Sequence, residues 1–307
     1  MKTPPNHPAP AQAPARTLDK GNLTLRVGTA LVFAVFFLTL LYLGDQPWAK
    51  ITFAVLLGGS LFMASHELVL MGRKLGHTPS LTAATFGGLI LLLHFFLLGL
   101  YPTDPLPLWF ALVLAGTGIH VGALLFQKDL TTALTSQAIT WMGVIYLGLG
   151  LGFQMKLFMF TETTLSNTGG RLILALYLIT WLGDTTAYFV GSLLGRHKLA
   201  PQVSPKKTWE GAFGNLAGNV LAAFIIKAWV CTQWTAVDAV VLGLLLGTAG
   251  LLGDLVESTW KRSASVKDSN MGGVAIPGHG GMLDRLDSLL FAAPVLYAYV
   301  HFVHGLN

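Results

Sequence analysis

The stretch that decides the fold is AVVLGLLLGTAGLL–GDLVESTWKRSASVKDSNMGGVAIPGHGGMLDRLDS–LLFAAPVLYAYVHFV, residues 239–303. Two apolar runs, Ala239–Leu252 and Leu289–Val303, flank a window that carries Asp254, Glu257, Lys261, Arg262, Lys267, Asp268, Asp284, Arg285, Asp287 and His279. Only 11% of the chain is charged, against roughly 25% in a soluble domain. Dense mixed charge, laced with glycine and held between runs long enough to be membrane spans, points to a phosphate-and-metal site at a membrane surface.

The rest of the chain repeats the apolar theme. Mean hydropathy is +0.63 and 53% of residues are hydrophobic. Continuous apolar runs of about 20 residues indicate membrane helices, whereas a transmembrane barrel alternates in shorter segments. The expected fold class is an all-α polytopic membrane protein with spans near Leu25–Leu43, Ile51–Leu70, Leu81–Leu100, Leu108–Phe126, Leu134–Phe153, Leu172–Val190, Gly211–Val230, Ala239–Val256 and Leu286–Val303. Residues 1–24, rich in Pro and Ala, read as a disordered cytoplasmic tail. Residues 25–170 form an N-terminal set of helices, and 171–307 a C-terminal catalytic region. One cysteine, Cys231, excludes an intrachain disulfide and a Cys-based metal cluster.

Lys and Arg give the orientation. With the N-terminus inside, 15 of 19 fall on the inner side and only Lys50, Lys156, Arg171 and Lys227 outside. The two richest loops, 191–210 and the 253–288 window, then both face the cytoplasm, where nucleotides and Mg²⁺ are available. The net charge of +5 suits an anionic partner.

Asp254 is the only charge between Ala239 and Val256. At a span centre a carboxylate costs about 2.5–3.5 kcal/mol on insertion scales unless a cavity or cation receives it. If the helix continues, Asp254, Ser258 and Lys261 share one face. That row is either a metal ligand followed by phosphate-binding groups or a helix end closed by an ion pair; these residues alone do not choose. Asp184 is likewise the only charge between Leu172 and Gly195, and either ligates or pairs with a cation. GDTTAY (183–188) and GDLVES (253–258) share a Gly-Asp near the end of a span, a slim basis for duplication. Lys206 and Lys207, with Ser204 and Thr208, precede a helix whose free N–H groups favour an anion; an interfacial anchor is the commoner use of such lysines. Asp284 and Asp287 are neighbours on one helix face beside Arg285, a pattern that suits Mg²⁺ bound with substrate phosphates. Glu67 could face the same site. His94, His120, Asn215 and Asn219 read as interhelical hydrogen-bonding groups. No GxxxxGK[ST] loop and no Ser–His–Asp pattern is present.

The stretch S-T-W-K-R-(4)-K-D…P-G-H-G-G-M-L-D-R-L-D, Ser258 to Asp287, resembles the signature of the phosphatidate cytidylyltransferases, or CDP-diacylglycerol synthases. Asp184–Asn215 is similar to that family's second cytoplasmic region. The resemblance implies synthesis of CDP-diacylglycerol and pyrophosphate from CTP and phosphatidate, with Mg²⁺ and a possible second cation, at the cytoplasmic face of a bacterial inner membrane. It implies metal ligation by Asp254 and Asp284, with Ser258, Lys261 and His279 at the reacting centre. Lys206, Lys207, Arg262, Lys267, Asp268, Arg285, Asp287 and Asp184 would bind substrate. Membrane lipids and a second copy of the chain are the expected partners, and nucleic acid is not. The chain departs from the pattern at Trp260, where the family has an aliphatic residue or Phe, and at Ser269–Ile276, eight residues where the family has fewer. Competing readings are a CTP-dependent lipid-alcohol kinase, which would need a base such as His279 or Asp268, and a transporter using Asp184 and Asp254 as ion sites.

Overall fold

The structure is a computed structural model that describes residues 20–101, 103–161, 167–269 and 280–305. The chain divides into two compact units, Met1–Leu38 and Thr39–Asn307. The described part of the first lies within helix α1, Lys20–Tyr42. The second holds α2 (Pro47–Lys74), α3 (Leu81–Leu100), α4 (Leu108–Phe126), α5 (Ala133–Met142), α6 (Gly148–Met159), α7 (Thr168–Leu194), strands β1 (Lys198–Ala200) and β2 (Ser204–Thr208), α8 (Trp209–Trp229), α9 (Ala236–Ser263) and α10 (Leu283–His304). Eight helices among the described residues are long and apolar enough to cross a membrane, α5 and α6 counting as one span, Ala133–Met159. The protein is an all-α polytopic integral membrane protein. Eight of the nine spans expected from the sequence are such helices; the first corresponds to α1, whose described apolar part, Leu31–Tyr42, is shorter.

Two expectations shift. The fifth span does not stop at Phe153 but runs to Met159, and a single π turn, Gly143–Leu147, joins its halves. Lys156, counted as an outer-loop charge, therefore lies within the last turn of α6 and is buried. The 191–210 segment is not a simple lead into a helix. β1 and β2 pair antiparallel, with Lys198 opposite Thr208 and Ala200 opposite Ser204.

Local sequence explains the helix starts. Ser80 caps α3 by accepting the Ala83 N–H at 3.1 Å, and Thr208 caps α8 by accepting the Gly211 N–H at 3.1 Å. Thr235 and Asp238 form a reciprocal capping box on α9. Helices α7, α8, α9 and α10 pack in succession, and α10 also lies against α6 and α2. Small residues set the spacing. A Cβ at Gly243 would meet the Val220 backbone at 2.5 Å, and one at Gly253 would lie 2.3 Å from the Asp287 carbonyl oxygen. These are approaches that only glycine permits, as expected where van der Waals contact holds membrane helices together.

Gly243→Ala tests this packing away from the charged window. The added methyl meets backbone on α8 that has no flexible end to move, so we expect a loss of about 1–3 kcal/mol. A lower thermal unfolding midpoint in detergent is the readout; an unchanged midpoint argues that α8 and α9 do not approach as described.

Candidate active site

The charged side chains gather at one end of the helical bundle, in two connected groups. The rim group is built on the last turns of α2 and α9 and the first turn of α10. Lys261 lies between two carboxylates, Glu257 one turn earlier on its own helix and Asp284 on α10. Glu257 is 0% exposed. The other Asp284 oxygen accepts the Ser269 N–H at 3.1 Å and lies 2.9 Å from the Ser269 hydroxyl, whose single proton is shared with Glu67. Ser269 also reaches Glu67 on α2, Oγ to Oε2 at 2.7 Å.

The second group lies deeper. Asp184 and Asp254 stand ten and nine residues before the ends of α7 and α9, about 14–15 Å along each axis. Asp254 accepts from Ser258 Oγ at 3.3 Å, the i, i+4 relation anticipated from the sequence. It is also paired with Lys207 Nζ at 2.7 Å. Asp184 accepts from Asn215 Nδ2 at 3.2 Å, and Ser288 Oγ stands 3.5 Å from its other oxygen. Asp287 is buried and accepts the Ser288 N–H at 2.7 Å. Asp184, Asp254 and Asp287 lie within electrostatic range of one another. Oxygen donors from three helices thus surround one region.

The remaining predicted residues take distinct positions. Strand β2 separates the adjacent lysines: Lys206 is exposed, whereas the half-buried Lys207 turns to Asp254. Alternation along a strand puts neighbours on opposite faces, so the two ammonium groups point apart. The Arg262 guanidinium donates to the Val203 carbonyl at 3.0 Å and the Val266 carbonyl at 3.1 Å, fastening the hairpin to the end of α9. Lys267, Asp268 and Arg285 are exposed at the same rim. His279 lies outside the described residues, as do residues 270–278.

Other members had weaker sequence signals. Glu257 is readable as an i, i+4 partner of Lys261. Ser269 sits at the start of the stretch where the family pattern is exceeded. Tyr146, in the π turn, packs edge-on against Trp260 with ring centroids 4.8 Å apart, and also touches Phe291. Its hydroxyl is buried without a hydrogen-bond partner among the described residues, within electrostatic range of Asp254, Glu257 and Asp287. Single π turns recur at functional sites, but nothing in the local sequence announces this one.

The chemistry of these donors fits a hard cation. They are oxygen ligands, which suit Mg²⁺. Among the described residues no three His, Cys, Asp or Glu side chains form a ready-made metal cluster.

A model of the cytidylyltransferase family matches residues 24–303. The chain belongs to this family. It is 43% identical over 159 residues to a phosphatidate cytidylyltransferase of Staphylococcus epidermidis, an alignment covering 52% of this chain and 57% of that protein. Phosphatidate cytidylyltransferases of Staphylococcus saprophyticus and Staphylococcus aureus are 40% and 42% identical over the same length and shares. The chain thus spans little more than half the length of these curated relatives.

Lys261→Met isolates the central ion pair. Removing one partner of a buried pair costs about 3–5 kcal/mol, and Lys261 has only 11% side-chain exposure and Glu257 none. We expect a markedly lower thermal midpoint, partly restored in the double variant Glu257→Gln/Lys261→Met. A single variant as stable as the parent shows that the ammonium does not carry this charge balance.

Proposed function

We propose that the protein is a phosphatidate cytidylyltransferase, forming CDP-diacylglycerol and pyrophosphate from CTP and phosphatidate. The observation that carries this reading is the meeting of Asp184, Asp254, Asp284 and Asp287 with lysines and serines at one end of a membrane bundle. Membership of the cytidylyltransferase family and the names of the relatives support it. On the positive-inside argument this end faces the cytoplasm, and the inner membrane of a bacterium is the proposed location.

A phosphate monoester has its second pKa near 6, so the phosphatidate headgroup is already mostly dianionic at neutral pH. The reaction needs little help from a base; it needs two polyanions brought together. A phosphatidate oxygen forms a bond to the CTP α-phosphorus as the bond from that phosphorus to the bridging oxygen of pyrophosphate breaks. Mg²⁺, held by Asp254 and Asp284, would supply charge neutralisation for the phosphates. Lys207 and Lys261 are already matched by carboxylates, so their role is to keep these aspartates ionised and oriented. Exposed Lys206, Lys267 and Arg285 meet the incoming nucleotide and headgroup charge. The Ser258 and Ser288 hydroxyls offer donors beside Asp254 and Asp184.

Purified protein given phosphatidate, Mg²⁺ and CTP labelled at the α- or γ-phosphate tests the reading. We expect α-label in a CDP-lipid and γ-label in pyrophosphate. Label passing from the γ-position to a lipid alcohol instead would establish a kinase, and no lipid product from folded protein would remove both. Asp254→Asn and Asp284→Asn should each reduce turnover to background. A variant near the parental rate removes that aspartate from the metal site.

A further inference from the structure

The only acidic residue of α2 is Glu67, and it is 0% exposed. A carboxylate in an apolar helix survives burial only if donors surround it. Its donors come from the other end of the sequence. Oε1 accepts the Met282 N–H at 2.7 Å, and Oε2 accepts the Leu283 N–H at 2.8 Å and the Ser269 hydroxyl at 2.7 Å. Met282 and Leu283 open α10, whose own residue at the cap position, Met282, makes no side-chain cap. Helix starts leave backbone N–H groups unpaired and carry a partial positive charge. Glu67 therefore caps α10 from more than 200 residues away in the chain. Asp284 and Asp287 follow directly in that helix, and Ser269 links Glu67 to Asp284 through its hydroxyl.

The surroundings leave no slack. A Cβ at Gly281 would lie 1.7 Å from Ser269 Oγ, 2.9 Å from Asp284 Oδ2 and 3.0 Å from Glu67 Oε2. The backbone comes this close to two carboxylates and a hydroxyl because position 281 is glycine.

We propose that Glu67 is a positioning residue for the transferase site, fixing the first turn of α10 and hence the placement of Asp284 and Asp287. The inference rests on the transferase reading of the same site. Glu67 need not touch substrate. It acts by satisfying the amides that start the helix and by holding Ser269 against Asp284. A carboxylate is required because three donors converge on it; a glutamine would turn its own N–H₂ towards at least one of them.

Full-length protein with Glu67→Gln provides the test. Amide exchange on the segment carrying Met282 and Leu283 should accelerate by about tenfold or more, while the middle of α2 and the far end of α10 keep parental protection. Turnover should fall by about tenfold or more, since a misplaced catalytic group is costly, with a raised Mg²⁺ concentration for half-maximal rate and little change in KM for CTP. Glu67→Ala should be worse in both respects. Gly281→Ala, whose methyl group meets the Ser269 hydroxyl first and also presses on Asp284 and Glu67, should show the same raised Mg²⁺ requirement and decides the matter if the Glu67 variants do not fold. Parental exchange and turnover in Glu67→Gln overturn the proposal. So does lost turnover with undisturbed exchange, which makes Glu67 a direct participant. If the unaltered protein makes no CDP-lipid, the transferase reading falls, while the exchange measurement still decides whether Glu67 fixes this turn.

Discussion

A carboxylate within an apolar helix has to be met by a donor, and the donors here come from elsewhere in the chain. This constraint organises the functional end of the molecule. Asp254 on α9 is met by Lys207 from the hairpin, Asp284 on α10 by Lys261 from α9, Asp184 on α7 by Asn215 from α8, and Glu67 on α2 by the start of α10. Each pairing satisfies a charge that would otherwise be costly to bury and also fixes how two elements meet. Apolar contact between helices cannot choose a register in this way, because lipid offers comparable contact. Polar pairing thus specifies the assembly while it builds the site.

The helices were legible because a membrane span is written in a simple code, length and hydropathy. Among the described residues eight of the nine expected spans appear as helices long enough to cross a membrane, and the first as the shorter apolar helix Leu31–Tyr42. The fifth was harder: its glycines and flanking polar residues obscured a helix that runs through a π turn to Met159. The site residues were legible as a list, from isolated charges in apolar spans and from the family pattern. Their pairing was not. Lys261 looked like part of one row with Asp254 and Ser258, but its ammonium goes to Glu257 and Asp284. Lys206 and Lys207 looked like one anion site, but the strand between Ser204 and Thr208 turns them apart. Such choices depend on contacts between elements distant in sequence, and spacing along one element carries no record of them.

Trp260 gives the same lesson in reverse. As a departure from the family pattern it is only a larger side chain. In the fold it lies against Tyr146 of the π turn, and Tyr146 in turn touches Phe291. The added ring surface is used at the junction of the π turn, α9 and α10. An aromatic pair in this edge-on arrangement contributes about 0.5–1.5 kcal/mol beyond its buried area.

Ser269, which opens the segment that exceeds the family pattern, and Met282, at the start of α10, are both tied to the same carboxylate, Glu67. A connection closed at its base in this way has its two anchor points set independently of how many residues lie between them. Lengthening it adds little closure entropy, about 0.6 kcal/mol for each doubling, and does not require Asp284 to shift. The number of residues between Ser269 and Met282 can therefore change without moving the first turn of α10. The added length is separated by one buried glutamate from the carboxylates of the candidate site.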